Sequence, residues 1–229
     1  MPLGIFRLST LAGANAVGFL LGASFYSFIF IGTLYMQQVL GFSALQGGFA
    51  WALGGISSIA FAGASQLLVT KGSAKAVMAF GMTCVGAGTL WLTQAPVHGH
   101  FLGNVSGPIL VGCGMGTAFS FIPISIAALA GVAEHEAGLA SGLIYTSQEL
   151  GGALGIAIAS SVAASRSHTL LGGGDGIHAA LTGGFHAALG VSGGIALLAI
   201  PVTFLLIRRD EMATAVAATA LRPEPAACG

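Results

Sequence analysis

Glu149 has the most chemistry to offer. It stands in the apolar stretch from about Gly138 to Ala164, which holds no other charge. If that stretch is a membrane helix, Glu149 lies about eleven residues in, roughly 16 Å at 1.5 Å per residue, near mid-bilayer. An ionisable side chain there costs about 2.5–3.5 kcal/mol on insertion scales and is expected to face the bundle interior. At spacings of three and four its face reads Gly138, Gly142, Tyr145, Glu149, Gly152 and Ile156. Gln148 adjoins it, with Thr146 and Ser147 one turn before. Two chemistries suit such a group: exchange of a proton and contact with a cationic substrate, with Tyr145 and Gln148 as its companions. The structural alternative is a neutral glutamic acid hydrogen-bonded to a neighbouring helix.

That reading needs a membrane. Only 6% of the 229 residues are charged, 55% are hydrophobic and 37 are glycine. Soluble domains are about 25% charged, so this chain cannot cover itself with a polar surface. Disordered chains are charged and poorly hydrophobic, which excludes disorder as well. The formal net charge is zero and no basic run occurs, so the clustered cations of a nucleic-acid surface are missing. What remains is an all-α membrane protein.

The elements follow from where charge is absent. No residue from Leu8 to Thr70 is charged, and none from Ala76 to Ala133. One span takes about 20 apolar residues, so each run holds two spans and a turn. The turns fall at Gly41–Gly48 and Gln94–Asn104, where Gly and Pro gather. Two more spans follow, separated by the Gly172–Gly176 loop. The expectation is six helices at about 11–40, 46–69, 76–93, 105–130, 138–164 and 184–207. They form one bundle over 1–209, followed by a disordered cytoplasmic tail at 210–229. With both termini in the cytoplasm, Arg7, Lys71, Lys75, Arg208, Arg209 and Arg222 lie inside and only Arg166 outside, as the positive-inside rule requires. Trp51, Trp91 and Tyr35 then fall near the outer ends of their helices, where amphipathic rings prefer the interface.

Small residues at four-residue spacing recur: Gly18/Gly22, Gly112/Gly116, Gly138/Gly142, Gly151/Gly155 and Gly190/Gly194. They let helix backbones approach closely. Gly112, Gly116, Gly138, Gly142 and Gly152 are the gating or packing candidates, together with Pro123, which frees carbonyls and lets its helix bend. The motif Val17-Gly18-x-x-x-Gly22-x-x-Phe25 returns as Val111-Gly112-x-x-x-Gly116-x-x-Phe119. Repeated three-helix groups are typical of secondary transporters. Asn15, Gln37 and Gln38 can bond between helices or to a substrate. The histidines have no metal-ligand spacing inside the membrane, and Cys84, Cys113 and Cys228 form no paired framework, so no metal, disulfide or cofactor is expected. Gly190-Val-Ser-Gly193 has the form of an intramembrane protease serine, but no His follows Ser192, and an enzyme is not expected.

Three stretches carry a family resemblance. They are Leu34-Tyr-Met-Gln-Gln-Val-Leu-Gly-Phe-Ser-Ala-Leu-Gln-Gly47, Gly112–Gly131 with its Phe119-Ser-Phe-Ile-Pro123 core, and Glu134-His-Glu-Ala-Gly-Leu-Ala-Ser-Gly142 continuing through Tyr145-Thr-Ser-Gln-Glu-Leu-Gly-Gly-Ala-Leu-Gly155. They resemble the major facilitator superfamily, in its fourteen-helix drug:proton antiporter branch, over about residues 3–209. The resemblance implies a multi-pass cell-membrane transporter that exports small amphipathic compounds in exchange for protons. It covers only the C-terminal half of such a protein. Alternating access needs two bundles, so the expected partners are the lipid bilayer, the substrate, and a second half-transporter or a second copy of the chain. The alternative is a non-transporting remnant or helper subunit. Two departures bear on residue roles. Gln148-Glu149 stands where the family usually has Gln-Gln or Arg-Gln. Lys71, Gly72 and Lys75 echo the family's inner loop, G-x-L-x-D-R-x-G-R, without its acid.

Overall fold

A run of apolar residues without alternation must satisfy its backbone internally, and in a membrane that means helices. The computed structural model describes residues 9–71, 73–95, 104–129, 132 and 134–206. Among these there are six long helices: α1 Ser9–Gln38, α2 Ala44–Lys71, α3 Ala74–Leu92, α4 Ser106–Leu129, α5 Ala137–Gly172 and α6 Ile177–Leu206. A single turn of 3₁₀ helix, Glu134–Glu136, leads into α5. Five of the six are long and apolar enough to cross a membrane; α5 is the exception. Its length is ample, but the block Thr146-Ser-Gln-Glu149 and the later Ser160, Ser161, Ser165 and Arg166 dilute its apolar character.

The helix ends have local causes. After α1 the chain turns at Gly41, whose φ is +71°, a conformation that costs glycine nothing. α2 then starts with a capping box: the Gln46 side chain accepts from the Ser43 amide at 2.9 Å, and Ser43 Oγ accepts from the Gln46 amide at 3.3 Å. α5 ends in a Schellman turn. The Asp175 amide donates to the Leu170 carbonyl and the Gly174 amide to that of Leu171, with Gly174 at φ +94°.

These caps revise two boundaries. The expected loop between 164 and 184 shrinks to the few residues around Gly172–Gly176. The polar segment Ser165–His168 stays helical, and α6 begins at Ile177. The Gly47 and Gly48 positions, read as part of a turn, lie inside α2. A further feature had no sequence signature. The α4 segment Ile109–Met115 is a π-helix, so the repeat of the α1 motif at Val111–Phe119 is wound differently from its counterpart.

α1 runs through the middle of the bundle, against α5 and α6, while α3 packs on α4 and α6, and α2 on α4. Two cores stack along the bundle. One gathers Leu11, Leu21, Met78, Met82, Phe119 and Ile124; the other gathers Phe28, Ile31, Leu92, Ile109, Phe185 and Leu189. Tyr35 belongs to the second and is fully buried, three residues before the end of α1. Trp91 is half-exposed, and Trp51 donates its indole N–H to Thr33 at 2.8 Å. α2 is the least covered helix, with 17% of its span buried against 67% for α3.

Candidate functional site

The site begins with the crossing of α1 and α5. Gly22 lies against the backbone of Gln148, Gly151 against that of Phe19, and Gly155 against that of Ala23. With no Cβ at these positions the two backbones touch, which is how apolar helices gain association in lipid. Ser147 donates to Asn15 Oδ1 at 2.7 Å, and Asn15 donates to the Leu11 carbonyl at 2.8 Å. This polar clasp satisfies groups that would otherwise be stranded in the crossing.

The crossing decides the orientation of the acid. Gln148 is on the contact side and is 4% exposed. Glu149 is the next residue, about 100° around the helix, and it is exposed. The expectation that it faces the bundle interior is thus corrected: the small residues Gly151 and Gly155 choose the packed face, and Glu149 is off it. Its carboxylate is not alone. Tyr26 of α1 donates its hydroxyl to Glu149 Oε1 at 2.8 Å. Tyr145 stands one turn earlier on α5 and is 65% exposed.

Beside Tyr26, Phe25 opens onto a groove of about 370 Å³ between α1, α2 and α4. Its walls are Phe25, Ile59, Ala62, Phe121 and Ile122, with Ser58 and Thr117 supplying the polar element. Phe25 and Phe121 meet edge to face, with centroids 5.8 Å apart. The Thr117 hydroxyl donates to the Cys113 carbonyl, so the 2.8 Å contact with Ser58 is one in which Ser58 donates. Tyr26 and Phe25 rings are 5.9 Å apart, which joins the acid to the groove. An apolar aromatic slot beside a carboxylate can take an amphipathic molecule, and it suits one with a cationic end. Among the described residues, no three His, Cys, Asp or Glu side chains group as a metal site.

The remaining candidates divide. Gly112 packs against Phe28 and Gly88, and Gly116 against Val85. Gly152 is buried beneath Tyr26. Pro123 is buried within α4. Gly138 and Gly142 face open space; they are not at a helix contact, because the packed stripe of α5 runs through Gln148, Gly151 and Gly155. Gly190 and Gly194 are open too, and Gly193 between them makes the α3 contact. Lys75 is buried at the start of α3. Gly72 and the Lys71 side chain lie outside the described residues, as do Arg7, Arg208, Arg209, Arg222, His98, His100 and the expected tail at 210–229. Sequence reasoning missed Tyr26, Phe121, Ser58 and Thr117 as site residues. A signal existed for Tyr26, which lies four residues after Gly22 and so shares the face that meets α5.

The family model of the Major Facilitator Superfamily matches residues 3–156. The chain belongs to that superfamily. It is similar to the cephamycin export protein CmcT of Amycolatopsis lactamdurans, 30% identical over 167 residues, which cover 72% of this chain and 34% of that protein. It is also similar to the uncharacterized MFS-type transporter EfpA of Mycobacterium tuberculosis H37Rv, 31% identical over 169 residues, which cover 70% of this chain and 30% of that protein. The matched region thus spans about a third of the length of these relatives. With five helices apolar and long enough to cross a membrane, this superfamily member is a multi-pass membrane protein.

Proposed function

We propose that the chain is one bundle of a cell-membrane exporter of the drug:proton antiporter kind. It moves small amphipathic molecules outward in exchange for protons. All six helices cross the membrane, and both termini are cytoplasmic. The observation that carries the reading is the Tyr26–Glu149 pair beside the aromatic groove. In a lone six-helix bundle that face would put a carboxylate toward lipid, at a cost of about 2.5–3.5 kcal/mol. Against a second bundle, the same face becomes the wall of a central cavity. Alternating access is the rocking of two such bundles about a shared midplane site. An export protein among the relatives supports the direction of transport.

The pair supplies the coupling. The ionised Glu149 accepts from Tyr26 and attracts a cationic or polar end of the substrate. A proton arriving from outside neutralises the carboxylate and releases that end. Proton and substrate thus compete for one oxygen pair, which is the minimum requirement for exchange.

The test is uptake of a fluorescent organic cation into everted vesicles, where export from the cytoplasmic face fills the lumen. The chain is expressed with the N-terminal helices of a superfamily exporter and, separately, alone. Transport driven by a pH gradient is expected with the second bundle present and absent without it. Glu149→Gln should abolish the gradient dependence while the protein still reaches the membrane. Full coupling in Glu149→Gln would remove the residue from the proton path.

A further inference from the structure

Gly152 differs from the other glycines in the α1–α5 crossing. A Cβ at Gly22, Gly151 or Gly155 would strike main-chain atoms of the opposite helix. A Cβ at Gly152 would instead meet one side chain: its three nearest neighbours are all atoms of the Tyr26 ring. It would clash with Cδ2 and lie 2.9 Å from Cε2 and 3.0 Å from Cγ. The ring therefore rests across Gly152. Glu149, three residues earlier, shares that face of α5, and the Tyr26 hydroxyl reaches it at 2.8 Å.

We propose that Gly152 is the positioning residue of the Tyr26–Glu149 pair. This deepens the reading of that pair as the proton-exchange site and rests on it. Carbon atoms in contact sit about 3.5–4.0 Å apart. A methyl group at position 152 forces the ring away by more than about 1 Å. Added to the present 2.8 Å, that withdrawal takes hydroxyl and carboxylate past about 3.6 Å, where no hydrogen bond remains. Backbone contact through Gly22, Gly151 and Gly155 and the Asn15–Ser147 clasp hold the helices together when Tyr26 moves. The groups that face Glu149 are few. Tyr26 comes from α1 and Tyr145 from α5 itself. α1 and α4 carry no charged side chain, and α6 brings only His178 and His186 as titratable groups.

The experiment uses the full chain in lipid nanodiscs. Infrared difference spectroscopy reads the position of the Glu149 carboxylate stretch at one pH, with Glu149→Gln as the blank. Tyr26→Phe should shift that band, because the carboxylate loses its hydroxyl donor. Gly152→Ala should move it by the same amount, and the Tyr26→Phe/Gly152→Ala double variant should move it no further. In parallel, Asn15→Cys with Ser147→Cys reports the crossing by disulfide formation. That cross-link should persist in Gly152→Ala and be lost in Gly155→Ala. An unmoved band in Gly152→Ala, or a shift additive with Tyr26→Phe, overturns the proposal. So does loss of the cross-link in Gly152→Ala, which makes Gly152 a packing glycine like its neighbours. The spectroscopic outcome does not depend on transport, so a failed coupling assay with Glu149→Gln would count against the proposed function alone.

Discussion

Glu149 could be picked from the sequence, because a single acid in an apolar stretch is conspicuous. Which way it points could not. Side chains advance about 100° per residue, so Gln148 and Glu149 compete for the packed face. The winner was set by Gly22 on a helix more than a hundred residues away in sequence. Tyr26 was hidden for the same reason: nothing in α1 alone says that its hydroxyl meets an acid on α5. Phe121 illustrates a second kind of miss. Within α4 it is one apolar residue among many; it becomes a site residue only because α1 brings Phe25 to its edge. Its contribution can be separated from that of the acid. An edge-to-face aromatic contact is worth about 0.5–1.5 kcal/mol beyond area burial, and Phe121→Ala should raise the apparent KM for an aromatic cation by about 2–10-fold. The pH dependence of efflux should be unchanged, since Glu149 and Tyr26 remain paired. An unaltered KM would take Phe121 out of the substrate slot.

At the level of the element, the all-helical, multi-span architecture was legible because long uncharged runs leave a membrane chain few other choices. The ends of α5 and α6 were not, since the polar residues Ser165–His168 look like loop when read by composition and are helix in fact. The π segment of α4 was invisible to any argument from 3.6-residue spacing. α5 repays attention because polarity and position disagree in it. It is not apolar enough to stand as a span by itself, yet it packs along the central helix α1. Its place is set by contacts with protein: the glycine crossing, the Asn15–Ser147 clasp and the Tyr26–Glu149 bond. Residues 137–172 inserted as a lone test segment should therefore enter the bilayer poorly compared with α6. Glu149→Leu removes a central acid and adds an apolar side chain, a change of about 3 kcal/mol on the insertion scale. That should turn a minority of inserted segments into a large majority, scored by glycosylation of flanking sites. Full insertion of the unaltered segment would contradict the view that α5 depends on its neighbours.

For the molecule as a whole, charge and geometry make one argument about orientation. α5 is 36 residues long, about 54 Å at 1.5 Å per residue, while the hydrocarbon core is about 30 Å thick. A helix that starts at the inner interface near Ala137 must therefore project well beyond the outer one. In the proposed orientation, Arg166 and Thr169, near its far end, clear the hydrocarbon, and the Schellman turn at Gly174 stands in water. This is where the only basic residue assigned to the outside falls, and its exposure fits a headgroup or aqueous setting. The proposed orientation assigns the other six basic residues of the sequence to the cytoplasmic side. Cysteine labelling tests the arrangement directly. Cys84 and Cys113 are buried and should not react, and Cys228→Ser removes the remaining thiol. In that background, Asp175→Cys at the tip of the α5–α6 turn should be modified by an impermeant maleimide in intact cells. His135→Cys, exposed in the turn before α5, should react only after the membrane is opened. The reverse pattern would invert the bundle and place six basic residues outside, and the inward direction assigned to the proton at Glu149 would then have to be reversed as well.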